Sequence, residues 1–184
     1  MHIVSKVVDN KKIHIIDGAI GKKSILSFFK MIKKLPFRKV ELDSDKDEYP
    51  IFSVDFETKK FEETTEIGTQ AKELLIDFGL KNYRLVRAYV NMSHFGDMEF
   101  PHRDCSIQSD DITVLYYANE AWEYSWGGET KFYENKDTVL SILPKPGRIV
   151  IFYGAIEHTG SIPTRVCKVS RLTVAMKYTK KKTK

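Results

Sequence analysis

From Asn82 onward the sequence is a series of short β-branched and aromatic runs, separated by glycine, proline and acidic residues. Many short strands with turn residues between them are typical of β-sandwiches and barrels. The predicted strands cover residues 84–90, 112–117, 130–133, 141–143, 148–152 and 171–178. This half of the chain is therefore predicted to form a β core.

The first eighty residues have a different texture. Residues 2–8 and 12–16 alternate apolar and polar side chains, as half-buried strands do. Residues 24–34 and 61–77 have apolar side chains at helical spacing, with Ser24 as a candidate N-cap and Gly79 as a candidate C-cap. Residues 42–50 are acidic and rich in turn formers.

No linker composition separates these two parts, so we predict one domain over residues 1–184. Residues 1–81 supply N-terminal strands and supporting helices, 82–178 the β core, and 179–184 a basic tail. The predicted fold class is mainly β with flanking helices, that is, α+β.

Composition excludes several classes of protein. The chain has 184 residues, 42% of them hydrophobic and 30% charged, which suits one globular domain. It has no apolar run near the length of a membrane span and no N-terminal apolar segment typical of a secretory signal. Because two cysteines, Cys105 and Cys167, do not suggest a disulfide framework, we expect a cytoplasmic protein.

The formal net charge is +5, and five lysines fall in the last eight residues. A run of this kind can attract nucleic acid, but we favour a solvated tail. The sequence does not indicate an oligomeric state.

The pattern that carries chemistry is His102-Arg103-Asp104 followed by His158. Two histidines and one carboxylate are the protein ligands of the facial triad that holds non-haem Fe(II) with open coordination positions. If the first pair lies on a strand, His102 and Asp104 share one face and Arg103 points away. The sequence therefore predicts an iron site, in preference to a four-ligand structural zinc site.

Arg171 opens the last predicted strand, where a buried guanidinium needs an anionic or polar partner. Its planar fork suits a carboxylate, and Thr173 lies on the same face of the strand. We predict that these two residues bind a dicarboxylate co-substrate. Lys168 is the second choice, because it precedes the strand.

Further segments lie between and after the ligands in a fixed order. They are Ile-Thr-Val-Leu-Tyr-Tyr-Ala-Asn at 112–119, Trp122, Gly-Gly-Glu-Thr-Lys-Phe at 127–132, Pro-Lys-Pro-Gly-Arg-Ile-Val-Ile-Phe at 144–152, and Arg-Leu-Thr at 171–173. With the triad, they resemble the Fe(II)- and 2-oxoglutarate-dependent dioxygenases, in particular the prolyl 4-hydroxylase-like family. The resemblance covers roughly residues 84–178.

The resemblance implies a distorted double-stranded β-helix, a jelly-roll or cupin-like core. It implies that His102, Asp104 and His158 bind Fe(II), and that Arg171 binds the C5 carboxylate of 2-oxoglutarate. Tyr117, or as second choice Tyr116, would bind the same carboxylate, and Tyr89 would line the pocket or serve as a core aromatic. The cofactors implied are Fe(II), 2-oxoglutarate and O2, with ascorbate as a reductant. A carboxylate at Asp104 favours hydroxylation over halogenation.

The predicted function is hydroxylation of prolyl residues in a protein or peptide substrate. The alternatives are a hydroxylase of free amino acids or other small molecules, and a non-catalytic metal-binding cupin. A nucleic-acid demethylase of the AlkB type is favoured less, since that branch has a second arginine where this chain has Lys177. The loop of residues 91–101 is a candidate substrate lid, with Met92, Met98 and Arg103 as its residues; residues 48–61 are a candidate flap.

Overall fold

The computed structural model describes residues 1–43 and 47–181. The described helices are α1 (Lys22–Ile32), α2 (Thr58–Thr64) and α3 (Glu66–Asp77). The described strands are β1 (His2–Val8), β2 (Lys11–Asp17), β3 (Arg38–Glu41), β4 (Ile51–Phe56), β5 (Tyr83–Ser93), β6 (Ile112–Tyr117), β7 (Thr130–Glu134), β8 (Asp137–Ile142), β9 (Ile149–Tyr153), β10 (His158–Gly160) and β11 (Arg171–Lys180).

The strands form two antiparallel sheets. The large sheet has the order β1-β2-β9-β6-β11-β5-β4-β3, and the small sheet has the order β10-β7-β8. Most neighbours in the large sheet are distant in sequence, as in a jelly-roll. The structure thus confirms the predicted fold class, a mainly β protein with a double-stranded β-helix core and flanking helices.

The two faces of the large sheet have different partners. One face carries alternate residues such as Ala88, Val90, Val174 and Met176, which form the main core with the three helices. Because side chains alternate along a strand, the intervening residues of β5 and β11 face the small sheet. A second core of Ile13, Tyr117, Phe132, Ile142, Val150 and Phe152 joins the sheets at that side. The space between the sheets is where a pocket can form.

The helices differ in detail from the prediction. The second predicted helix is two helices, because Thr65 has an extended backbone and its hydroxyl caps α3 by accepting the amide N–H of Gly68. The N-cap of α1 is Gly21, not Ser24, whose hydroxyl instead contacts Glu66. Gly79 follows α3 with a positive φ of 79°, as a residue after a helix C-terminus often does.

Three strands were not predicted. β3 lies in a segment for which the sequence analysis predicted no element. β4 lies within the predicted flap of residues 48–61, and that prediction is wrong for β4, which pairs with β5 inside the large sheet. Short length hid β10, which has three residues. β8 begins four residues earlier than predicted, at Asp137.

Strands from both halves of the chain share the large sheet, since β1 to β4 flank the strands of the later half. Of the predicted basic tail, Thr179 and Lys180 belong to β11, and residues 182–184 lie outside the described residues. Across the part of the chain that the structure describes, no helix has the length and apolar character needed to cross a membrane.

Candidate metal centre

The three predicted ligands converge between the two sheets. His102 and His158 form an isolated bridge, in which each amide N–H donates to the other's carbonyl oxygen at 2.9 Å. The amide of Asp104 donates to the Gly154 carbonyl oxygen at 2.8 Å. The first pair does not lie on a strand, since this single bridge is its only ladder contact among the described residues.

The side chains form a compact donor set. His102 Nε2 lies 3.6 Å from Asp104 Oδ1, and His158 Nε2 lies 3.5 Å from Asp104 Oδ2. One donor atom from each residue lies within 4.8 Å of the others. Each histidine places Nδ1 at 2.9 Å from a backbone carbonyl oxygen, of Phe100 and Ile156 respectively. A carbonyl partner at Nδ1 leaves Nε2 as the free lone pair, so both rings fit a divalent metal ion.

The protonation states suit metal binding. Burial lowers the pKa of His158 to about 4, so this ring is neutral at pH 7. Burial acts against ionisation of Asp104, but Lys177 and His158 hold its pKa well below the usual range. Burial also opposes the charge on His102, yet Asp104 and Asp43 raise its pKa. A divalent ion would displace that proton, since metal binding requires a neutral imidazole.

Groups around the ligands hold them in place. Asp43 Oδ1 lies 3.4 Å from His102 Nδ1. The Lys177 ammonium lies 2.5 Å from Asp104 Oδ2, and the Thr113 hydroxyl donates to the same oxygen. Sequence reasoning missed Asp43, because its turn-rich segment gave no sign of contact with the site. It considered Lys177 only as a departure from another branch.

Arg171 forms the other end of the site. This residue is 3% exposed, and its Nε donates to the Gly128 carbonyl oxygen at 2.7 Å. Its other nitrogens reach the hydroxyls of Thr130 at 3.3 Å and Thr173 at 3.5 Å. Within residues 1–43 and 47–181 no carboxylate forms an ion pair with it. The rival candidate, Lys168, is exposed and does not line the pocket.

The predicted co-substrate residues fall in three places. Thr173 lines the pocket two residues from Arg171. Tyr117 is buried behind Thr130, with its hydroxyl 2.7 Å from Thr130 Oγ1 and 3.1 Å from the Ile142 carbonyl oxygen. Tyr116 faces the helical layer and packs edge-on against Phe28, away from the pocket. Direct contact of Tyr117 with a carboxylate therefore stays a prediction.

Tyr89 lines the pocket, which is the first of the two roles that the sequence analysis left open for it. The Arg87 guanidinium stacks on its ring at 3.9 Å from the centroid, and Lys177 Nζ lies 5.9 Å from the same centroid. Burial raises the pKa of Tyr89 to about 12, so its hydroxyl is protonated at pH 7.

The predicted lid residues do not act as one group. Met92 lies on β5 with its side chain packed against the main core, so it is not part of a lid. Met98 is 46% exposed in the loop before the metal ligands. Arg103 does not point away from the site: it lines the pocket and binds the Ala155 carbonyl oxygen.

Glu99 is a further pocket residue that the sequence analysis did not identify. Its Oε1 is buried without a hydrogen-bond partner among the described residues. Burial raises the pKa of Glu99 to about 7, although Arg171 opposes the shift. The only available signal was its position three residues before His102.

Fold and site together combine a double-stranded β-helix core, a His-Asp-His donor set that can hold a metal ion, and a buried arginine without an ion-pair partner among the described residues. The sequence model of the 2OG-Fe(II) oxygenase superfamily matches residues 88–178, which contain both ends of the site. We therefore place the chain in the 2OG-Fe(II) oxygenase superfamily.

Solved structures show the same fold at low sequence identity. A viral collagen prolyl hydroxylase from Paramecium Bursaria Chlorella virus-1 has a TM-score of 0.68 and 19% identity, covering 95% of this chain and 92% of that one. A prolyl hydroxylase from Trichoplax adhaerens, in complex with a hypoxia inducible factor peptide, has a TM-score of 0.66 and 18% identity, covering 91% and 83%. A prolyl-4-hydroxylase from Pseudomonas putida has a TM-score of 0.66 and 10% identity, covering 92% of each chain. Among curated proteins, none matches this chain significantly.

Proposed function

We propose that this oxygenase hydroxylates a C–H bond of prolyl residues in a protein or peptide, converting 2-oxoglutarate and O2 to succinate and CO2. The observation that carries the proposal is one pocket with two separate ends. One end holds the His102, Asp104 and His158 donors, and the other holds Arg171, which has no carboxylate partner among the described residues. A ligand that bridges these ends must be anionic where it meets Arg171.

2-Oxoglutarate meets that requirement. Arg171, with the hydroxyls of Thr130 and Thr173 beside it, would hold the distal carboxylate. Fe(II) bound by His102, Asp104 and His158 would supply the oxidising chemistry and accept the other end of the co-substrate. The cavity, of about 390 Å3, is within the usual range for a site that takes a small cofactor.

A protein or peptide substrate is supported by the rim of the pocket and by the structural relatives. The rim beyond the metal ligands carries charged side chains of both signs, including Glu41, Arg87 and Arg103. These groups can form hydrogen bonds with an extended chain. The relative from Trichoplax adhaerens is a prolyl hydroxylase solved with a peptide fragment.

A test begins with the purified protein, Fe(II), 2-oxoglutarate and ascorbate. Succinate is measured with proline-containing peptides, with free amino acids and without substrate. We expect peptides to raise succinate formation well above the substrate-free rate, and His102→Ala to abolish it. His2→Ala is the matched control, because that histidine lies on the edge strand β1 and does not line the pocket.

The substrate itself can be found by mass spectrometry of a host-cell lysate. We expect prolyl peptides that gain the mass of one oxygen atom with wild type and not with His102→Ala. Succinate formation with free amino acids alone would contradict the peptide proposal. Failure both to bind 2-oxoglutarate and to form succinate would favour a non-catalytic metal-binding cupin.

A second candidate is hydroxylation of a free amino acid or other small molecule. The observation that favours it is Glu99, whose buried Oε1 is an acceptor in the pocket without a partner among the described residues. 2-Oxoglutarate offers no donor to this oxygen, whereas an ammonium group would. Glu99→Gln should then raise the KM of the amino acid without changing the KM of a peptide.

We also propose a cytoplasmic location, the expectation based on cysteine usage. In support, Cys105 and Cys167 are both free thiols. Fractionation of the native host cells would test it, and recovery in a secreted or membrane fraction would contradict it.

A further inference from the structure

Lys177 is the second cation that β11 turns toward the pocket, six residues after Arg171. Its ammonium lies 2.5 Å from Asp104 Oδ2 and 3.3 Å from Thr113 Oγ1. Only 21% of its side chain is exposed. Burying a lysine beside a metal site is costly unless its charge is matched, so its contact with a metal ligand calls for a functional explanation.

The sheet register fixes this contact. Lys177 lies directly opposite Thr113 in the pairing of β11 with β6, and both side chains point to the pocket side of the sheet. The Asp104 amide is held separately by the Gly154 carbonyl oxygen. Three independent segments of the chain therefore meet at one carboxylate, and small rotations of any one side chain would break the arrangement.

Both donors approach the same oxygen of Asp104. The hydroxyl of Thr113 and the ammonium of Lys177 bind Oδ2, which also lies 3.5 Å from His158 Nε2. Oδ1 lies 3.6 Å from His102 Nε2 and is contacted by neither Thr113 nor Lys177. Carboxylates bind metal ions through one oxygen or through both. With Oδ2 held by two donors, Oδ1 is the oxygen left to bind the metal.

The number of open positions depends on this choice. Two imidazole nitrogens and one carboxylate oxygen would leave the remaining positions of a bound metal ion open to the co-substrate and dioxygen. A second oxygen from Asp104 would compete for one of those positions.

We propose that Lys177 is a positioning residue which, with the Thr113 hydroxyl, restricts Asp104 to binding the metal through one oxygen and so preserves the position needed by dioxygen. The inference rests on the metal centre and is independent of the substrate proposed above.

The test compares Lys177→Met, which keeps the length of the side chain and removes its charge, with Lys177→Arg, which keeps the charge. Lys180→Met is the matched control, since Lys180 lies on the same strand but pairs with Asp110 outside the pocket. Each variant is loaded with Co(II), whose visible absorption reports the coordination of the metal. We expect the band shape to change in Lys177→Met, to be largely restored in Lys177→Arg, and to stay as in wild type in Lys180→Met.

A second measurement uses Fe(II) and 2-oxoglutarate without air, where the charge-transfer absorption of the complex reports co-substrate binding. We expect Lys177→Met to keep this absorption. Its rate of 2-oxoglutarate consumption in air should fall by about tenfold or more, the size of effect typical for a group that orients a metal ligand. Thr113→Val provides a smaller change with the same expected direction, should Lys177→Met fail to fold by circular dichroism.

Two results would overturn the proposal. A Co(II) spectrum of Lys177→Met and Thr113→Val that coincides with wild type would show that Asp104 does not depend on these donors. Loss of the charge-transfer absorption would instead make Lys177 a ligand of 2-oxoglutarate. Neither readout needs a prime substrate, so absence of peptide hydroxylation would leave both unaffected.

Discussion

Arg171 and Lys177 are two cations on the same face of the same strand, yet their surroundings differ. The Lys177 ammonium lies 2.5 Å from the carboxylate oxygen Oδ2 of Asp104. Arg171 is more deeply buried and donates only to a carbonyl oxygen and two hydroxyls among the described residues. One cation forms an ion pair with a carboxylate of the protein. The other donates to neutral acceptors and forms no ion pair among the described residues, although its charge acts on the buried carboxyl of Glu99.

This difference distinguishes a cation that forms an ion pair within the protein from one that is available to bind an anionic ligand. An uncompensated buried charge lowers stability unless something else binds it. Neutral groups around Arg171 orient its fork without satisfying its charge, and this leaves a strong site for an anion. The ion pair at Lys177 makes that end of the pocket unsuited to a second anion.

The largest expected effect follows from removing the charge at the Arg171 end of the pocket. Arg171→Met removes the cation that we expect to bind the distal carboxylate, and loss of one partner of a buried charge pair typically costs about 2–5 kcal/mol. We therefore expect the Kd of 2-oxoglutarate to rise by about 30-fold or more, measured by titration of the Fe(II) protein without air. Lys168→Met, which alters the exposed rival, should bind as wild type. A larger loss in Lys168→Met than in Arg171→Met would reverse the assignment.

A smaller effect is expected at the Lys177 end. Lys177→Met leaves Asp104 without its cation, so the metal-free protein should lose about 1–3 kcal/mol of unfolding free energy; the figure is below that of a fully buried pair because Lys177 is partly exposed. A divalent ion replaces the missing positive charge. Added Mn(II) should therefore raise the Tm of Lys177→Met more than that of wild type. Equal increases in Tm would mean that Lys177 does not neutralise Asp104.

The smallest expected effect concerns Glu99, the pocket carboxyl on which the charge of Arg171 acts. Burial raises the pKa of Glu99 to about 7, from 4.5. The folded protein therefore holds this proton more tightly than the unfolded chain, and the stability it contributes is present below pH 4.5 and is lost as the pH rises to about 7. Glu99→Gln should remove that loss, making the variant more stable than wild type by about 1–2 kcal/mol at pH 8, with little difference at pH 4.

Chemical denaturation at the two pH values measures this difference. The sign of the stability difference at pH 8 also bears on Arg171. If wild type is more stable than Glu99→Gln at that pH, ionised Glu99 is stabilised by Arg171, and the arginine is not free to bind a ligand.

Much of the site could be read from the chain because its residues follow local rules. His102 and Asp104 are separated by one residue, and Arg171 and Thr173 share a face of a strand whose period is two. The strands with continuous β-branched runs, such as β6, were also predictable, and its bounds agree with the structure. Residue spacing and strand periodicity depend on residues that are close in sequence, so they can be recognised in a single amino-acid sequence.

Other features depend on contacts between distant residues. β3 has only four residues, and β4 has six; β4 pairs with the edge that β5 offers, and β3 then pairs with β4. The segment of residues 94–104 has no strand of its own, and backbone hydrogen bonds to His158 and Gly154 place His102 and Asp104. Met92 showed the same limit, since its position beside a loop in sequence did not reveal that it packs into the core.

The sequence by itself determined the donor set His102, Asp104 and His158, the cation Arg171 and the mainly β core, because side-chain chemistry and strand periodicity are properties of short segments. Only the tertiary structure decided which groups surround them. It brought Lys177 and Thr113 to one oxygen of Asp104 and left Arg171 with neutral partners. The reason is physical: the charge state and orientation of a buried group depend on its neighbours in space, and these neighbours come from strands that the chain joins only when it folds.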